Sequence, residues 1–217
     1  MIIGNPSGGD WYLFGPDGRI QTGARRWMGS VYYFDPVTYL RVNNSWREGL
    51  YFGADGRLVN GAFSTRVINW FLQREGRLTY SMYGSRTGAD GTADCSGSMT
   101  MALWSAGASR PRIIYSTDDL PDYLFGNGYQ LVASGMGPVD LHYGDVVIWG
   151  YRGASNGAVG HTMVVTGSGD YQTVISTSFL TKGQRGTAVQ EAEYTSYWIS
   201  HGRPYQYVYR LINPARN

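Results

Sequence analysis

The chain contains one cysteine, Cys95, in 217 residues. No internal disulfide framework can form, which excludes a small stapled secreted fold and leaves the lone thiol needing another explanation. Lysine is equally scarce: Lys182 is the only one, and charged residues make up only 16% of the chain with a formal net charge of +2. That balance is too mild and too evenly spread for a nucleic-acid surface, although attraction to an anionic polymer stays open. No run approaches the roughly 18 apolar residues that cross a bilayer, so membrane insertion is not expected. The opening MIIGNPSGGDW lacks the charged and apolar regions of a secretory signal, and a protein working outside the membrane would need another exit route. Phosphate cradles are missing too, because GSGDY and GADG are turn chemistry without a strand, helix and lysine around them. Asp118, Asp119 and Asp122 do not have calcium-loop spacing and are expected to favour a helix N-terminus. Glu191 and Glu193 alternate on one expected strand and make a poor glycosidase pair. The expectation is therefore no metal and no cofactor; the oligomeric state is open.

What the chain has is 31 glycines, 18 tyrosines against 7 phenylalanines, and 42% hydrophobic residues, a composition of turns, strands and exposed rings around an affordable core. The first 61 residues hold a weak repeat, WYLFGPDGRIQTG from Trp11, VYYFDPVTYLRVN from Val31 and LYFGADGRLVNG from Leu50. Phe14, Phe34 and Phe52 form one column, Ile20, Leu40 and Leu58 a second, and Gly23, Asn43 and Gly61 a third. Gly18 and Gly56 mark a turn that the middle copy builds with Thr38 and Tyr39. Each unit reads as an aromatic strand, a tight turn and a return strand, a β-hairpin of about 20 residues that must stack on its neighbours to bury its rings. This predicts an all-β module over 1–61 and a second domain over 62–217.

Beyond residue 61 the pattern becomes helical. Ser64 is placed to cap a helix carrying Val67, Ile68, Phe71 and Leu72, ended by Gly76. A second helix is predicted from Cys95, with Asp94 as N-cap and Gly107 as terminator. A third is expected within STDDLPDYLFGNG, opened by Ser116 or Thr117. From Tyr129 on, YQLVAS, GDVVIWG, GHTMVVTG, QTVISTSF, TAVQEAEY and YQYVYRL are short β-rich runs between turn residues, predicting an antiparallel meander and an α+β domain.

A thiol in ADCSGS, at the first turn of a helix, feels the positive end of the dipole and free N–H groups, both of which favour thiolate. His161, entering the strand of GHTMVVTG after Gly160, is the candidate base; His142 and His201 are the only other histidines. A structural cysteine and a surface histidine are the plainer alternatives for each residue taken alone.

From LTYSM through DCSGSMTMALWSAGAS, NGYQLV, GDVVIWGYRGASNGAVGHTMVV and YVYRL, the chain resembles the phage peptidoglycan amidohydrolases of endolysins, relatives of the NlpC-type and CHAP papain-like cysteine peptidases. The resemblance implies a papain-like domain with its helices ahead of the sheet. It also implies a thioester mechanism: Cys95 attacks a wall-peptide amide, His161 protonates the leaving amine, and water releases the product. By the same resemblance Tyr80 stabilises the oxyanion, with Tyr83 competing, and the residue that orients His161 comes from QTVISTSF, where Ser176 is the choice ahead of Ser178 or a backbone carbonyl. Cleavage between D-glutamate and the following diamino acid is the first expectation, the N-acetylmuramoyl-L-alanine amide the second, and a wall-binding protein without activity the rival from another class. The implied setting is a host cytoplasm during phage infection, with release to the wall through a holin.

The N-terminal units resemble choline-binding and glucan-binding wall repeats, which implies ring cages from Trp11, Trp27, Tyr32, Tyr33, Trp46 and Tyr51, each cation–π contact contributing about 0.5 to 2 kcal/mol. Packing of one hairpin on the next is the competing role for every one of these rings. The implied partners are peptidoglycan and a wall polysaccharide or teichoic acid.

Overall fold

The computed structural model describes residues 2–4, 10–60 and 62–212. Gly61, at the expected boundary and in the third repeat column, lies outside them. In the N-terminal part, β1 (Ile2–Gly4) pairs with β2 (Trp11–Leu13), β3 (Gly23–Trp27) with β4 (Ser30–Phe34), and β5 (Ser45–Arg47) with β6 (Leu50–Phe52), all antiparallel. The frame differs from the expected one. The paired hairpins turn at Met28–Gly29 and Glu48–Gly49, where Met28 and Glu48 sit at positive φ, a conformation suited to two-residue hairpin turns. The expected Asp-Gly turns close only single bridges, Phe14 to Ile20, Phe34 to Arg41 and Phe52 to Leu58. The phenylalanine column thus shares one bridging position, while in the middle copy Arg41 rather than Leu40 takes the second, because that copy turns through Tyr39 at positive φ.

Helix α1 (Ala62–Leu72) buries Phe63, Val67, Ile68, Trp70 and Phe71. Ser64 does not cap it but lies buried inside its first turn, where Gly144 passes so closely that a Cβ there would meet Ser64 Oγ at 2.3 Å. A parallel pair of two-residue strands follows, β7 (Thr79–Tyr80) and β8 (Thr92–Ala93), then α2 (Cys95–Ala106), whose N-cap Asp94 accepts the Gly97 N–H and whose last turn closes at Gly107 in the left-handed region. Helix α3 (Leu120–Gly126) opens later than Ser116, with Pro121 in its first turn.

Strands β9 (Tyr129–Gly135), β10 (Val146–Trp149), β11 (His161–Gly167), β12 (Thr173–Thr177), β13 (Val189–Glu193) and β14 (Gln206–Leu211) form one antiparallel sheet in the order β13-β12-β11-β10-β14-β9. It is not a simple meander: β14 inserts between β10 and β9, and a helix absent from the sequence reading, α4 (Tyr194–Ser200), precedes β14. The pleat splits the side chains between two cores. Val146, Ile148, Val164 and Ile175 face α1 and α2, whereas Val147, Trp149, Met163, Val165 and Val174 face Tyr194, Tyr197 and Trp198 of α4.

The hairpins share the first of these cores: Ala24, Val31, Tyr33, Leu50 and Phe52 belong to the same buried cluster as Val67, Phe71 and Leu103. Polar contacts fasten the joint. Ala24 and Ser168 exchange hydrogen bonds at 2.8 and 3.1 Å, Thr22 Oγ1 donates to Asp170 at 2.8 Å, and the buried Arg25 guanidinium donates to Gln21 and to the Ser168 carbonyl.

Candidate active site

The first turn of α2 places Cys95 at the floor of a cavity of about 200 Å³ lined by Tyr80, Met82, Arg86, Ser96, Thr117 and Asn156 among others. Gly97 makes this placement possible. A Cβ there would stand 2.1 Å from the Arg86 carbonyl, so only glycine lets loop 84–91 press against the helix. The Arg86 carbonyl also accepts the Asp94 N–H at 3.2 Å, and the Arg86 guanidinium pairs with the Asp94 carboxylate at 2.5 Å.

The sulfur is surrounded by donors. The N–H groups of Thr162, Ser96 and Cys95 itself favour its ionised form, but burial opposes them, and with the adjacent Asp94 carboxylate it pushes the thiol up to about 11. Burial of the anion thus works against the helix-end effect that the sequence suggested, and the two pull the thiol in opposite directions. The Tyr80 hydroxyl hydrogen-bonds the cysteine side chain, and burial followed by the neighbouring thiol and Asp94 raises its own pKa. Tyr83, the competing tyrosine, is 82% exposed on the rim.

His161 begins β11, one residue before the Thr162 amide that faces the sulfur. Its ring lines a larger adjoining cavity of about 890 Å³ with Tyr83, Trp149, Phe179, Lys182, Tyr197 and His201; the two cavities share Tyr80 and Met82. The imidazole lies between Trp149 and Tyr197, with ring centroids 5.8 and 5.9 Å away. That surround pushes its pKa down to about 3, burial being the larger cause and nearby His201 the second. Ser176 Oγ lies 3.0 Å from His161 Nε2 and the Tyr197 hydroxyl 3.3 Å from the same nitrogen. A proton on Nε2 donated to Ser176 leaves the Nδ1 lone pair free, the tautomer that a base requires. Ser178 is buried, and its hydroxyl has no hydrogen-bond partner among the described residues.

Tyr197 and His201 escaped the sequence reading because α4 did. The signal was present: Tyr194, Tyr197, Trp198 and His201 follow helical spacing, and Glu193 caps the helix by accepting the Thr195 and Ser196 N–H groups. Asp118 was expected to favour a helix start; it instead accepts from Gly153 N, Ser155 N and Ser155 Oγ and pins loop 151–160 over the cleft. Gly160 belongs to the same clasp, since a Cβ there would lie 2.0 Å from the Ser155 carbonyl.

The aromatic candidates of the hairpins divide. Tyr32 and Tyr33 are buried, Tyr32 against Leu13 and Phe34 and Tyr33 with its hydroxyl on Glu48. The Arg41 guanidinium already sits over Trp11 and Tyr32, at 5.5 and 5.9 Å. Trp27 is half-buried against Tyr32, and Trp46 is 62% exposed with Tyr51 tilted against it at 5.4 Å.

In solved structures, NlpC2 from Trichomonas vaginalis aligns over 97% of this chain and 83% of its own, at 17% identity and a TM-score of 0.42. A lysin of Pneumococcus phage Dp-1 is 38% identical over 146 residues, which is 67% of this chain and 46% of the lysin; the chain spans about half the length of that relative. The family model described as bacteriophage peptidoglycan hydrolase matches residues 64–217. With so much of the sequence inside that match, the chain belongs to the bacteriophage peptidoglycan hydrolase family.

Proposed function

We propose that the protein hydrolyses an amide in the stem peptide of peptidoglycan, with Cys95 as nucleophile and His161 as base. The observation that carries this reading is the sulfur at the tip of α2 receiving the N–H of Thr162, whose chain neighbour His161 has its Nε2 3.0 Å from Ser176 Oγ. The resting pair is a neutral thiol and a neutral imidazole, so the proton leaves sulfur as the substrate arrives. His161 takes that proton while sulfur bonds to the amide carbon, and returns it to the nitrogen as the C–N bond breaks. Water, deprotonated by the same imidazole, then splits the thioester into a carboxylate and the thiol. The oxyanion accepts from the Tyr80 hydroxyl and the Cys95 amide, a kind of contact whose loss costs about 2.7 to 4 kcal/mol of barrier.

The bond is the one between D-glutamate and the diamino acid, and the protein is a papain-like, NlpC-related endopeptidase carrying wall-gripping hairpins over residues 1–61. Of their rings, Trp46 and Tyr51 have the exposure and pairing to stack on a wall saccharide or teichoic acid substituent, whereas the Trp11 and Tyr32 faces hold Arg41. Mass spectrometry of digested walls tests this. A new amino terminus on the diamino acid, lost in Cys95→Ala and His161→Ala, is the expected result. A free N-terminal L-alanine would mean the muramoyl amide is cut instead, and equal, negligible digestion by wild type and Cys95→Ala would leave a wall-binding protein.

A further inference from the structure

Arg86 lines the same cavity as Cys95, and its guanidinium is tied to both residues that flank the nucleophile. Nε donates to Asp94 Oδ2 at 2.5 Å, and Nη2 donates to Ser96 Oγ at 3.1 Å and to the Tyr115 carbonyl at 3.4 Å. Nη1 has no protein partner among the described residues, and the side chain keeps 29% of its surface open while its acidic partner keeps 6%. Asp94 is fully engaged: Oδ1 accepts the Gly97 N–H at 2.7 Å and Oδ2 the guanidinium. Asp94 lines the cavity as well, but both its oxygens are engaged, so the donor left open to a ligand on this wall is the guanidinium.

The backbone holds that cation in place. Arg86 is at positive φ, which a non-glycine residue holds only where its surroundings enforce it, and here the Asp94 N–H donates to its carbonyl while Gly97 leaves room for the close approach. A preorganised planar guanidinium with one free nitrogen suits a carboxylate. The rest of the cavity, with Ser116, Thr117 and Asn156 opposite Met82, has room for about one residue-sized group.

We infer that Arg86 forms a carboxylate-reading subsite beside the nucleophile, so that the acyl residue delivered to Cys95 is one bearing a free carboxylate next to the attacked carbonyl chain. This rests on the amide-hydrolase reading above and narrows it. A D-glutamyl residue linked through its side-chain carboxyl keeps its α-carboxylate free, and amidation of that group, as in D-isoglutamine, removes the charge. The protein thus discriminates between non-amidated and amidated stem peptides.

The test uses two synthetic stem tripeptides, L-Ala-γ-D-Glu-L-Lys and its D-isoglutamine counterpart, on the full chain. Wild type should favour the carboxylate peptide by about tenfold or more in kcat/KM, the scale of one charge-assisted contact. Arg86→Gln should bring that ratio close to one by slowing the carboxylate substrate about tenfold more than the amidated one, and Arg86→Lys should restore part of it. Calorimetric binding of both peptides to Cys95→Ala separates the two readings: preference in binding without cleavage by wild type keeps the subsite and removes the mechanism. Cleavage of both peptides at equal rates, or equal binding of both or neither, overturns the subsite. Because the wild-type ratio alone decides, the outcome stands even where loss of the guanidinium unfolds the loop.

Discussion

At the scale of single residues, the proposed nucleophile Cys95 and the proposed base His161 are shifted in opposite senses by one main cause, removal from water. The thiol is pushed up to about 11 and the imidazole down to about 3, and each shift disfavours a thiolate–imidazolium pair at neutral pH. The consequence is measurable by alkylation. Iodoacetamide reacts with thiolate, so labelling of Cys95 should be slow at pH 7 and climb about tenfold per pH unit toward pH 10, the thiolate fraction rising with each unit below its pKa. A fast rate that is flat between pH 5 and 8 would instead reveal a preformed thiolate and imidazolium. The histidine shift also acts on stability. A folded pKa below the unfolded value of about 6.5 means that the unfolded chain binds the extra proton, so stability is complete above that pH and drains away as acid is added. The slope cannot exceed ~1.4 kcal/mol per pH unit, because one ring takes up at most one proton. His161→Gln should flatten the fall in urea midpoint between pH 6.5 and 4, and an unchanged slope would sink this account.

At the scale of elements, close approach decides more than helix propensity does. Gly97 sits in the first turn of α2, where alanine ordinarily favours a helix. Yet a Cβ would run into the Arg86 carbonyl at 2.1 Å, and the obstacle is backbone that cannot swing aside. Gly97→Ala should therefore destabilise by about 1 to 3 kcal/mol, the usual cost of overpacking, read from the urea midpoint; a stabilised protein would show that the loop yields freely. What the sequence revealed follows the same division. Helix α2 was legible to the residue, because Asp94 and Gly107 are strong local signals at its two ends. Helix α4 was not, because its tyrosines and tryptophan also suit strands and the run joined a β-rich segment. The order of the sheet was hidden too, since insertion of β14 between β10 and β9 is decided by long-range packing that no short window contains. Arg86 offered no pattern at all: its place beside the sulfur depends on a loop folding back eight residues later.

At the scale of the whole molecule, the hairpins and the helices share one core although their sequence patterns differ. Removing residues 1–61 would take Ala24, Tyr33 and Phe52 out of that core and leave the apolar face of Val67, Ile68 and Phe71 on α1 without their cover. The joint has its own test. Arg25 is buried, and desolvation lowers its pKa to about 10, while its guanidinium bridges Gln21 and the Ser168 carbonyl. Arg25→Ala should cost about 1.5 to 3 kcal/mol, the range for hydrogen bonds to charged groups, and should broaden a single thermal transition into two. A change under about 0.5 kcal/mol, typical of surface positions, would mark the contact as incidental.

The Thr22, Ala24 and Arg25 joint leaves no slack between the hairpins and the sheet that holds His161. A flexible leash lets a tethered catalyst sweep a volume around its anchor; a bolted foothold does not. Each grip on the sacculus would then present the cleft to one small patch of bonds at one angle, and the molecule would have to let go before it could cut anywhere else.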